Sequence, residues 1–258
     1  MKHTIALALV LIQLFTGCEK KDTVPPVSEN PVQKELGKIA VDVSPAFGSE
    51  ELQYSKYYLN AAGDSVNVTR FAYYVSNVVF VKSDGSAFAE PESYHLLDHA
   101  GSATKGFTVA NVPLGEYSSL SFLIGVDSLR NCSGAQSGDL DPAKGMFWTW
   151  NSGYIFLKME GRAPRSAGNK AYTYHIGGFK GVNRSMQKVS LSFNGSILKS
   201  AQGGLARVVL KADAAEIFKS PNIIDVSTFY YQMSEGAGAK KLSENYKDMF
   251  IVKEVQNP

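Results

Sequence analysis

Apolar and polar residues alternate with a period of two along much of the chain after residue 36. Ile39, Val41 and Val43 share one side of a segment whose other side carries Lys38, Asp42 and Ser44. Leu120, Phe122 and Ile124 repeat the pattern, as do Ile155, Leu157 and Met159, and then Val189, Leu191 and Phe193. An extended chain turns successive side chains to opposite faces, so this alternation predicts strands with one buried face. Residues 71–81 (FAYYVSNVVFV) and 205–210 are denser in apolar residues and predict strands covered on both faces. Turn chemistry separates the runs at Asn60-Ala61-Ala62-Gly63-Asp64, Ser83-Asp84-Gly85, Val112-Pro113-Leu114-Gly115 and Asn194-Gly195. Helical spacing is confined to residues 212–219 and 244–249. The pattern predicts an all-β fold: one antiparallel two-sheet β-sandwich of the Ig-like or Greek-key type over residues 37–255.

One segment breaks the rhythm. Residues 125–145 (GVDSLRNCSGAQSGDLDPAKG) have no periodicity and form a long irregular loop that runs into Met146-Phe147-Trp148-Thr149-Trp150. Loops of this length in a compact domain are usually functional or specifically ordered. Asp127, Asp139 and Asp141, with Asn131 and Ser137, offer oxygen ligands without the spacing of a calcium-binding helix-loop-helix. They either cap loop backbone N–H groups or hold a structural calcium.

The amino end has a different character. Lys2 precedes an apolar run at residues 5–15 (IALALVLIQLF), too short to span a bilayer as a helix and suited to a signal-peptide core. Phe15-Thr16-Gly17-Cys18 then resembles a bacterial lipoprotein cleavage box, with Phe15 where Leu is usual. Residues 1–17 are therefore expected to be a removed signal, with Cys18 acylated and anchoring the protein to a membrane. Residues 18–36, polar and carrying Pro25, Pro26 and Pro31, read as a flexible tether. The expected location is the bacterial outer membrane, on its periplasmic or surface face. Acylation of Cys18 leaves Cys132 without a partner in the chain, as a small buried hydrophobe, a soft metal ligand or an intermolecular thiol.

Composition narrows the function classes. Hydrophobic residues make up 44% of the chain, enough for a sizeable core, and Lys+Arg 26 against Asp+Glu 24 leaves a formal charge of only +2. With no long basic run, a nucleic-acid partner is not expected. Gly-x-Ser-x-Gly, His-Glu-x-x-His and phosphate-cradling Gly-rich motifs are all missing, so nothing in the sequence argues for an enzyme.

Beyond His3 in the signal, the imidazoles are His95, His99 and His175. His95 and His99 share a face of an extended chain about 13 Å apart, so one ion can reach both only across a turn. His175 ends a strand-like Tyr-Thr-Tyr-His and precedes Gly177-Gly178, a joint that would leave its ring at a sheet edge. Trp148 and Trp150, on one face of a strand, are either core or, with Tyr154, a stacking platform for a flat ligand such as a glycan.

A family resemblance rests on several of these residues. The runs Ile124-Gly125-Val126-Asp127, Ser133-Gly134-Ala135-Gln136, Leu140-Asp141-Pro142, residues 145–156 (GMFWTWNSGYIF) and Tyr174-His175-Ile176-Gly177-Gly178 resemble the MbnP-like copper-binding family. Residues 71–79 and 244–250 resemble further family segments, so the likeness covers the body from about residue 38 to 255. It implies a secreted β-sandwich, associated with methanobactin and other bacterial copper handling, that binds copper without catalysis. His175 falls on the family's Tyr-His-Ile-Gly-Gly motif and is the implied first ligand. His95 or His99 would be the second, with Met146 or Met159 as soft ligands. Some relatives add a Trp oxidised to kynurenine by a di-haem peroxidase-like partner, which makes Trp148 and Trp150 the residues for modification here. No Trp precedes Trp148, however, whereas those relatives carry theirs near the amino-terminal strands. An outer-membrane copper transporter is the other implied partner.

Overall fold

The computed structural model describes residues 35–54, 56–100, 103–150 and 153–258. The expected signal segment, Cys18 and nearly all of the tether lie outside these residues. In chain order the strands are β1 (Leu36–Phe47), β2 (Glu50–Glu51), β3 (Tyr57–Leu59), β4 (Ser65–Lys82), β5 (Ala87–Ala89), β6 (Tyr94–Asp98), β7 (Lys105–Pro113) and β8 (Gly115–Ile124). After the irregular segment come β9 (Phe147–Trp148), β10 (Gly153–Tyr154), β11 (Leu157–Arg162), β12 (Ala171–Ile176) and β13 (Gln187–Ser192). The last four are β14 (Leu198–Ser200), β15 (Leu205–Asp213), β16 (Tyr231–Gln232) and β17 (Phe250–Gln256). The helices are α1 (Ser128–Asn131) and α2 (Ala237–Tyr246).

The strands make two main sheets. The smaller runs β17-β15-β1-β2, with β7 also on β1, and the larger runs β13-β8-β4-β11-β12-β16 with β3, β5, β6 and β14 attached. Their facing residues form the main core, where Ile39, Val41 and Val43 of β1 meet Phe71, Tyr73 and Val75 of β4 and Leu120, Phe122 and Ile124 of β8. Burying each such side chain is worth about 1.5–3 kcal/mol, which fixes which face of each strand points inward. The chain crosses between the sheets at Pro113-Leu114-Gly115, where Gly115 takes φ 144° and the Tyr117 hydroxyl donates back to the Pro113 carbonyl at 2.8 Å.

The all-β, two-sheet expectation is met, with three local corrections. Two pairings are parallel, β1 with β15 and β12 with β16; the relative direction of strands so far apart in sequence depends on the chain's path, which local alternation does not encode. β15 is covered on one face only, with Arg207, Val209 and Lys211 half-exposed. The helical stretches are also shifted. Residues 214–218 form a 3₁₀ turn whose Ala215 N–H is capped by the Asp213 carboxylate, and the carboxy-terminal helix begins earlier, at Ala237. There Ala239, Leu242, Ser243 and Tyr246 repeat at helical spacing on the buried side, while Met249 already belongs to the approach to β17.

The irregular segment packs on the outer face of the larger sheet. Val126, Leu140, Met146, Trp148, Tyr154, Ile155 and Phe156 form a second apolar cluster over Ala72 and Tyr74 of β4. Polar contacts anchor it: the Tyr74 hydroxyl donates to the Asp139 carbonyl at 2.9 Å and the Tyr154 hydroxyl to the Leu140 carbonyl at 2.8 Å.

Candidate functional site

Register decides what stands beside His175. On β12, Tyr172, Tyr174 and Ile176 face the main core, so His175 faces outward. One row across the outer face runs Asp98 (β6), Ala72 (β4), Lys158 (β11), His175 (β12), and the adjacent row runs Arg70, Glu160, Thr173. Glu160 is thus the diagonal neighbour of His175, close enough for their side chains to meet. Its Oε1 lies 2.6 Å from Nε2 of the imidazole.

A carboxylate at this contact only accepts, so Nε2 carries the hydrogen and the neutral ring keeps its lone pair on Nδ1. That Nδ1 is buried and has no hydrogen-bond partner. His175 is 8% exposed, not at an open rim as the Gly177-Gly178 joint suggested, because the strand runs straight through it to Ile176. Burial holds its pKa below the ordinary value of 6.5; the Glu160 hydrogen bond opposes this and the Lys158 charge adds to it. The ring is therefore neutral at pH 7, the state in which imidazole binds metals. A carboxylate on one nitrogen that orients the other is the usual support of a metal-bound histidine. Around the pair, the Lys158 ammonium donates to the Gly145 carbonyl at 2.5 Å, and Arg70 pairs with Asp98 at 2.8 Å.

The remaining expected ligands lie elsewhere. Leu97 of β6 faces the main core while Tyr94 and Leu96 join the outer cluster, so His95 and His99 sit on the opposite side of the sheet from His175. His95 stacks on Phe107 with centroids 3.8 Å apart and contacts Glu90 Oε2 at 2.8 Å. His99 spends both nitrogens, Nδ1 on the Ala103 carbonyl and Nε2 on the Tyr73 hydroxyl, each at 2.8 Å. Met146 and Met159 are fully buried, in the outer cluster and the main core respectively. Among the described residues no three of His, Cys, Asp and Glu converge as a metal-binding group.

The loop carboxylates act on their surroundings. Asp127 accepts from the Arg130 N–H and the Tyr94 hydroxyl, Asp139 from the Leu96 N–H and Lys144, and Asp141 from the Ala143 N–H. Asn131 ties Val126 and Asp127 to Tyr154. These bonds match the capping reading rather than a calcium cage. Cys132 is exposed, not a small buried hydrophobe, since it caps α1 while Asn131 takes the buried position.

The tryptophans divide. Their rings lie against each other, with centroids 5.6 Å apart, but Trp148 is 4% exposed and Trp150 64%, since β9 ends at Trp148. Tyr154 is buried as well, so no three-ring platform forms. A Cβ at Gly177 would stand 2.7 Å from the Trp148 ring and 2.5 Å from the Tyr154 carbonyl oxygen. The Tyr-His-Ile-Gly-Gly run and the aromatic run are thus packing partners. Glu160 was the residue missed by sequence reasoning; its signal was the outward alternation of Lys158 and Glu160 opposite that of His175.

No curated protein matches the chain. Among solved structures, MbnP from Methylosinus trichosporium matches with a TM-score of 0.53 at 16% identity, over 79% of this chain and 82% of that one, which establishes a shared fold. The MbnP family model matches residues 36–234, a span that includes the larger sheet, the smaller sheet without β17, the outer loop and His175. By that match, the chain belongs to the MbnP family.

Proposed function

We propose that this protein binds copper outside the cytoplasm, without catalysis, while tethered to the outer membrane through an acylated Cys18. Family membership supports copper handling, and the signal-like amino end supports the location. One structural observation carries the reading: the Nδ1 lone pair of His175, buried and unpartnered, on a ring oriented by Glu160. Leaving such a group unsatisfied costs about 1–3 kcal/mol, which a bound metal would recover. Imidazole serves both Cu(II) and Cu(I). A di-haem enzyme or an outer-membrane transporter would then act on, or accept, the loaded protein.

The test is copper titration of the metal-free protein against competing chelators, for Cu(I) and Cu(II) separately. His175→Ala is expected to weaken binding at least about tenfold. Full affinity in that variant would remove His175 from the site and this reading with it.

A further inference from the structure

Two aromatic rings stand open to solvent on a single cleft. Trp150 is 64% exposed and Tyr231 60%, and both line a space of about 380 Å³ together with Gln232, Met233 and Ser234. Single exposed apolar side chains are ordinary on a protein surface, but two of the largest side chains sharing one concavity mark a ligand site. Both are held by their neighbours. Trp150 rests against the buried Trp148 with ring planes inclined at 40°, and Tyr231 belongs to β16, whose pairing with β12 sets it beside Thr173. The Gln232 amide is fixed as well: Nε2 donates to the Ser234 carbonyl at 2.7 Å and to the Ser234 hydroxyl at 3.3 Å, and a Cβ at Gly238 would collide with Oε1. Accepting that bond leaves the Ser234 hydroxyl its own hydrogen to donate to a ligand oxygen.

The lining selects the ligand class. It contains no Asp, Glu, Lys, Arg or His, so it offers no charge to pair with an ionic ligand. It combines aromatic faces with uncharged hydrogen-bonding groups. A pyranose ring is the complement, with a face of C–H groups that packs on an aromatic ring and an edge of hydroxyls that donate and accept. A flat aromatic ligand would cover the rings but leave the polar edge of the cleft unmatched. We infer that this cleft binds a neutral saccharide, with sugar faces against Trp150 and Tyr231 and the Ser234 hydroxyl donating to a sugar oxygen. The three-ring platform expected from the sequence is thus replaced by one tryptophan and a tyrosine distant in the chain. His175 is not part of the lining, so this inference stands apart from the copper reading.

The experiment titrates the full chain with cellohexaose, maltohexaose, chitohexaose and mannohexaose, and with hexagalacturonate as the charged control, reading affinity by calorimetry. Of the two tryptophans one is buried and one exposed, so emission reports the site directly: a bound saccharide should shift it to the blue and shield Trp150 from iodide. Trp150→Ala and Tyr231→Ala, both at exposed positions, should each weaken binding at least about tenfold, while Tyr57→Ala, an exposed ring outside the cleft, should change it by less than about twofold. No binding of any neutral hexasaccharide at about 10 mM, equal binding of hexagalacturonate, or unaltered affinity in either cleft variant would overturn the inference.

Discussion

Acid should destabilise this fold through His99, by an amount the structure sets. The ring lies at the end of β6 and is 0% exposed, between Phe71 and Tyr73. The Ala103 carbonyl only accepts, so Nδ1 carries the hydrogen and Nε2 accepts from the Tyr73 hydroxyl; the folded ring is neutral. Burial, partly opposed by the Ala103 hydrogen bond and the Asp98 charge, lowers its pKa from 6.5 to about 4. At 1.36 kcal/mol per pH unit, this corresponds to about 3 kcal/mol. The unfolded chain takes up the proton near pH 6.5 and the folded chain only near pH 4. Stability from this group is therefore complete above pH 6.5, lost as pH falls through that window, and unchanged by His99 below it. Urea unfolding of the parent and of His99→Gln, followed by far-ultraviolet circular dichroism at pH 7, 6, 5 and 4, isolates the effect. Glutamine can donate to Ala103 and accept from Tyr73 but does not titrate, and other acid-sensitive groups, His175 among them, cancel in the difference. The parent's stability relative to the variant should fall by about 3 kcal/mol between pH 7 and 4. A difference that stays constant across that range would refute the assignment of a neutral, buried His99.

Other consequences follow from single contacts. Gly177→Ala should cost about 1–3 kcal/mol and alter the near-ultraviolet dichroism of Trp148, because its methyl group would meet the indole and the Tyr154 carbonyl; an unchanged spectrum would mean that the indole is not seated there. Asp64 is fully buried, accepting from the Val226 N–H at 3.0 Å and from Arg165 at 2.8 Å, so Asp64→Ala should destabilise by about 1–3 kcal/mol or more in urea. Cys132 should react with a thiol reagent in the native protein without shifting the thermal midpoint, since its side chain is exposed and caps a helix of one turn; protection until unfolding would contradict its exposure.

The candidate site was half legible before the fold was known. Alternation in Tyr172–Ile176 separates His175 from the tyrosines, and the same alternation puts Lys158 and Glu160 on the outward side of their strand. Nothing local said that β11 and β12 would pair so that Glu160 meets His175 diagonally, or that β16 would return in parallel along β12. His95 and His99 show the converse. Their i, i+4 spacing put them on one face, as found, but which side of the sheet that face would occupy was settled by the main core taking Leu97.

Period-two patterning determined the all-β class, most strands and which residues of each turn inward, because apolar burial is the largest favourable term and depends only on the local alternation of side chains. Tertiary structure decided strand direction, the seating of the 125–145 segment on the outer face, and the burial of Trp148 while Trp150 stays exposed. Those features depend on contacts between residues distant in sequence, whose geometry arises only when the two sheets close on a common core.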